Sequence, residues 1–182
     1  MPTVNDPSGT PQHVSKENMA KTLAVSESLE GHTNRYHKQA YTWQFSNDPD
    51  VGDDCIFYIK NNDEVPLILE GLTLFITAAC EVYIKIRGSG TTAVGTPVTG
   101  VCVNGGGNDD SDVTCLHDGD VESGGTFSGG VEFDRFKYSA ATDSYEVNFP
   151  MDVTLPKNAV FSLWVDTAGV VVTGTLYGFF HE

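Results

Sequence analysis

Lysine and arginine are scarce in this chain: ten in 182 residues, against 25 aspartates and glutamates and a net charge of −15. A surface so short of cations repels phosphate backbones, which argues against direct binding of nucleic acid. Cysteine is sparse too. Cys55, Cys80, Cys102 and Cys115 form no C-x-x-C pair, so a zinc site lacks its usual ligand spacing. The expectation is free thiols buried in strands, with a disulfide formed later in an oxidising medium as the other outcome. No apolar run approaches the ~20 residues that a membrane helix needs, so no membrane partner is expected. The opening Met-Pro-Thr-Val-Asn-Asp-Pro has neither the basic start nor the apolar core of a signal peptide, so folding in a cytosol is the default expectation.

The usual signatures of catalysis are missing as well. His13, His32, His37, His117 and His181 are scattered, with no H-x-H or H-x-x-x-H pair to hold a metal on a strand or helix. There is no G-x-S-x-G elbow for a serine nucleophile. Gly88-Ser89-Gly90 reads as a turn, and the run Gly105-Gly106-Gly107 precedes neither a helix nor a lysine, so it is no phosphate loop. Glu132, Asp134 and Glu146 could be pictured as a glycosidase pair. Strand alternation places them more simply on a solvated face. The expectation is a protein that is not an enzyme and has no resident cofactor.

What the chain does have is strands. Residues 55–87 hold three runs rich in Ile, Val, Leu, Phe and Tyr, separated by Asn61-Asn62-Asp63-Glu64 and Thr77-Ala78-Ala79. Such residues suit a pleated, half-buried surface. The three runs read as a three-stranded antiparallel meander that needs a second sheet over it. Tyr41, Trp43 and Phe45 alternate with Thr42, Gln44 and Ser46, a clear period of two. Residues 96–103 read as one strand, with Pro97 implying an edge. Residues 131–138, 145–149, 160–165 and 170–180 supply more, with Pro150 and Pro156 as punctuation. About eight to ten strands with frequent turn signals predict an all-β fold: a jelly-roll-like β-sandwich body over residues 40–182, preceded by an extended arm over residues 1–39. The aromatic residues fall mostly at core positions. Several turned outward would instead make a platform for sugar.

Charge divides the chain at the same place. Residues 1–40 balance to zero, so all the excess negative charge lies in the body. A neutral arm suits contact with a partner. Its candidate contact residues are Lys21, Leu23, Val25, Arg35, Tyr36 and His37. Residues 104–130 form a long irregular stretch, and loops of that length usually serve binding or assembly. Asp109, Asp110, Asp112, Asp118 and Asp120 lie within it without a lysine or arginine. The plain reading is a solvated acidic loop. The alternative is a Ca²⁺ site built from carboxylate oxygens, although the spacing does not match an EF-hand.

In the order of its features the chain resembles virion structural proteins of tailed bacteriophages. The resemblance runs through Lys21-Thr22-Leu23-Ala24-Val25-Ser26-Glu27-Ser28, Ala40-Tyr41, Phe57-Tyr58-Ile59-Lys60-Asn61-Asn62 and Leu67-Ile68-Leu69-Glu70-Gly71-Leu72. It ends with Gly95-Thr96-Pro97-Val98-Thr99-Gly100-Val101-Cys102-Val103-Asn104. It covers about two thirds of the chain, and the Gly- and Asp-rich insertion after Asn104 departs from it. It implies a role in the virion, assembled in the host cytoplasm: a capsid decoration or cement protein, bound through its arm to the major capsid protein or another virion component. A homo-oligomer is expected, a trimer first. The alternative is a tail- or fibre-associated β-sandwich module that binds carbohydrate on a receptor.

Overall fold

The computed structural model describes residues 3–5, 11–13, 40–90, 95–103, 112–117, 126–139 and 143–180. The alternation in residues 41–46 forms β3 (Ala40–Asn47), which sends Tyr41, Trp43 and Phe45 inward and leaves Gln44 and Ser46 exposed. Ahead of it, β1 (Thr3–Asn5) and β2 (Pro11–His13) pair antiparallel with each other. The apolar runs that follow become β4 (Asp54–Asn61), β5 (Leu67–Ile76) and β6 (Cys80–Ile86). Short strands β7 (Thr96–Pro97), β8 (Val101–Cys102) and β9 (Val113–His117) come next, then β10 (Val131–Tyr138), β11 (Asp143–Leu155), β12 (Val160–Val165) and β13 (Val172–Phe180).

The protein is all-β, built on two antiparallel sheets, with no helix among the described residues. One sheet has six strands in the order β10-β6-β12-β4-β9-β7, and the other has five in the order β11-β5-β13-β3-β8. Their facing sides share one core. Trp43, Phe45, Leu72, Leu74 and Leu176 of the five-stranded sheet join Phe57, Ile59, Ile84, Phe161 and Leu163 of the six-stranded sheet. The Phe45 and Phe57 rings meet across the gap with centroids 4.6 Å apart. Burial of this apolar surface is the main force holding the sheets together.

The expected meander does not form. The three strands are present, but β4 and β6 belong to one sheet with β12 between them, and β5 belongs to the other. The reason is visible at the first corner. Asn61 is fully buried, and its side-chain amide donates to the carbonyls of Val65 and Leu155, each at 2.9 Å. Its side-chain oxygen accepts the Asp63 N–H at 2.9 Å, and Asp63 in turn accepts the Val65 N–H at 3.1 Å. These paired turns carry the chain across the sandwich instead of back beside β4.

The single strand expected over residues 96–103 is likewise two, β7 and β8, which join different sheets. Pro97 does lie on an edge, where its missing N–H costs no ladder bond. Pro150 does not end its strand. β11 runs through it, and the register against β5 shifts between Asn148 and Val153 to accommodate it. All four cysteines are buried, in β4, β6, β8 and β9.

Candidate functional site

Several of the residues singled out from the sequence cannot be placed. Lys21, Leu23, Val25, Arg35, Tyr36 and His37 lie outside the described residues, as do Asp109, Asp110, Asp118 and Asp120. Asp112 is described. It is exposed at the entry to β9, and its backbone carbonyl accepts the Asn62 N–H at 2.8 Å. Among the described residues no cluster of His, Cys, Asp and Glu is arranged to hold a metal ion. Glu132 and Asp134 are exposed on β10.

Two surfaces stand out instead. The first is the outer face of the six-stranded sheet. β4 and β12 are buried on both faces, so their sequences do not alternate. Outward from them lies a second apolar cluster of Cys55, Tyr58, Tyr83, Phe127, Val160 and Trp164. The Tyr83 ring stacks toward Trp164 at 6.5 Å, Trp164 toward Phe127 at 6.3 Å, and Phe127 meets Tyr58 edge-on at 5.1 Å. Phe127 arrives on a strap, residues 126–130, pinned by two backbone bonds between Ser89 and Ser128 at 3.0 and 2.8 Å. Gly129 lets the strap lie flat, because a Cβ there would sit 2.5 Å from the Trp164 ring.

Cations cap this ladder. Lys85 Nζ lies 3.7 Å from the Trp164 ring centroid, and the Arg135 guanidinium lies 4.8 Å from that of Tyr83. The Tyr83 hydroxyl donates to Asp53. Burial, reinforced by that bond and its charge, pushes the Tyr83 hydroxyl well above the usual phenol range. Arg135 also bonds Glu132 at 2.6 Å and Glu81 at 2.7 Å. Its hydrogen bonds hold both carboxyls below their ordinary range. This surface is closed, and its chemistry holds structure together.

The second surface is the outer face of the five-stranded sheet. Register aligns three rows across its strands. Val101, Thr42 and Tyr177 form one row, Gln44, Thr175 and Thr73 the next, and Ser46, Thr173 and Phe75 the third. Val101 is 62% exposed, Phe75 43% and Tyr177 36%. None of the nine carries a charge, and the five strands of this sheet contain no lysine or arginine.

A trough of about 470 Å³ opens here, lined by Gln44, Phe45, Ser46, His117, Thr173, Gly174 and Thr175. His117 reaches it from β9 of the other sheet. Its Nδ1 is 3.0 Å from the Ser46 carbonyl, which can only accept, so Nδ1 carries the proton in this bond. Ser46 and Thr173 share a hydroxyl–hydroxyl bond at 3.1 Å. Gly174 belongs to the inward-facing set of β13: a Cβ there would lie 2.5 Å from the Phe45 ring, so its absence makes room for that ring on the core side.

One buried polar group is unusual. Asp54 is fully buried at the start of β4, paired in register with core residue Val165, and neither carboxylate oxygen has a hydrogen-bond partner among the described residues. The alternation of β3 and β13 already sorted their outward from their inward residues in the sequence. The trough itself was not visible there, because His117 comes from a strand of the other sheet. No protein-family model matches the chain, and comparison with curated proteins and with solved structures found no match.

Proposed function

We propose that this is a non-enzymatic structural component of a tailed-phage virion, a capsid decoration or cement protein with a jelly-roll body. The observation that carries the proposal is the strand order. Within the larger sheets, β3-β13-β5-β11 faces β4-β12-β6-β10. Successive strands from β3 to β6 and from β10 to β13 alternate between the two sheets. That interleaving supports the jelly-roll reading, an architecture that recurs in viral capsids. The resemblance in residues 21–28, 57–62, 67–72 and 95–104 points the same way.

The edges support a body that meets partners selectively. β10 is the outer strand of its sheet and carries Glu132, Asp134, Arg135 and Lys137, with a register shift between Glu132 and Asp134. β11 edges the other sheet and carries the Pro150 irregularity. Charges, bulges and prolines on edges discourage indiscriminate strand pairing. Attachment then falls to the neutral arm of residues 1–39, with the acidic body projecting outward, in a trimer.

Deleting residues 1–35 tests this. Particles assembled without the native protein are mixed with the truncated form, and its occupancy is measured by gel densitometry and electron microscopy. Occupancy should fall to background. Unchanged decoration would overturn the arm's role.

A further inference from the structure

We propose that the outer face of the five-stranded sheet binds a neutral oligosaccharide along β13, in the trough lined by Gln44, Ser46, His117, Thr173 and Thr175, with Tyr177 and Phe75 standing beside it on the same face. This stands apart from the assembly role, and neither depends on the other.

The chemistry of the face selects the occupant. The side chains of Gln44 and Thr175 have no hydrogen-bond partner among the described residues. An amide and a hydroxyl can each donate and accept, which is what sugar hydroxyls require. The Nδ1 bond of His117 to the Ser46 carbonyl fixes its ring, and in the neutral imidazole this leaves Nε2 as a further acceptor. Tyr177 and Phe75 supply exposed ring surface of the kind that packs against the apolar C–H faces of a sugar. From Tyr177 to Thr173 is four residues of extended strand, about 14 Å, enough for a short oligosaccharide. A trough of about 470 Å³ falls within the usual size range of small-molecule sites.

Charge excludes the anionic alternatives. A phosphate or an acidic sugar would need a cation, and this sheet has neither lysine nor arginine in its strands. The chain as a whole carries −15 and repels anions at longer range. The acids nearest in register are peripheral: Glu70 lies at the β5 irregularity, and Glu146 stands opposite Thr73 on the edge strand β11.

The test is titration calorimetry of the full chain with cellotetraose, maltotetraose and tetra-N-acetylchitotetraose, with tetragalacturonate as the anionic counterpart. At least one neutral probe should saturate in the millimolar range or tighter, and tetragalacturonate should not bind. Tyr177→Ala and Gln44→Ala should each weaken that binding by about tenfold or more. Circular dichroism and the unfolding midpoint should show that both variants stay folded. The proposal is overturned if all three neutral probes are silent at tens of millimolar, if tetragalacturonate binds equally well, or if both variants bind as the parent does. Sedimentation gives one more overturning result: self-association that Thr175→Lys abolishes, with no sugar bound, would make this face an interface between copies. Loss of sugar binding by Tyr177→Ala alongside normal occupancy on particles would separate this site from the arm.

Discussion

Replacing Phe127 by alanine is the sharpest test of how the outer face of the six-stranded sheet is held. The ring is 8% exposed and touches Tyr58 and Trp164, on two different strands. A phenylalanine buries about 200 Å². At about 25 cal/mol per Å² that gives an upper limit of roughly 5 kcal/mol. A compact unfolded chain lowers the figure, and so does collapse of the strap onto the gap, which leaves about 3 kcal/mol, the low end for Phe→Ala in a core.

Guanidinium unfolding followed by circular dichroism measures this loss, with the denaturant slope checked for constancy. Fluorescence supplies an internal control. Trp43 is sealed between the sheets, while Trp164 lies directly under the strap. The variant should therefore show red-shifted emission and greater acrylamide quenching from Trp164 alone. A loss below about 1 kcal/mol with unchanged emission would refute the reasoning, because a ring that costs so little to remove cannot be closing a core.

Three further outcomes are expected. Asp54→Val should raise stability by about 1–2 kcal/mol in the same assay, because an unpartnered buried polar group costs about that much, and a loss would show that the carboxylate has a donor. Because Arg135 depresses the Glu81 and Glu132 carboxyls in the folded state, their contribution is complete above the unfolded value and is lost as pH falls through the folded one. Glu81→Gln should therefore flatten the fall in melting temperature below about pH 4.5, and an unaltered acid limb would count against the network. Burial, and then the charge of Asp166, pushes the Cys80 thiol up to about 11, and all four cysteines are buried, so the native protein should react slowly with Ellman's reagent and the unfolded chain with all four thiols.

The strands were legible because apolar side chains mark them directly. β3 and β12 begin and end close to where alternation and apolar runs place them. Their partners were less legible. The Asn61–Asp63 turn reads the same whether the chain doubles back in the plane or crosses to the facing sheet, and what decides is the bond from Asn61 to Leu155, ninety-four residues away. Similarly, Pro150 acts as a breaker in isolation, yet at a sheet edge it needs only a local register shift. The outer aromatic ladder escaped notice because Cys55, Tyr58 and Trp164 lie in strands buried on both sides, where no polar alternation separates inside from outside.

The central places in the two sheets have a consequence for synthesis. β12 sits between β6 and β4, and β13 sits between β5 and β3. A chain leaving the ribosome amino terminus first thus exposes β3 to β6 long before either sheet has its middle strand. Those waiting strands present open edges, which is the condition that invites aggregation. Folding must await two hairpin-distant partners, so it should be slow for a protein of this size and limited by docking of residues 160–180. A ribosome stalled before that segment would hold apolar strands with nothing between them, and a chaperone would find its substrate there.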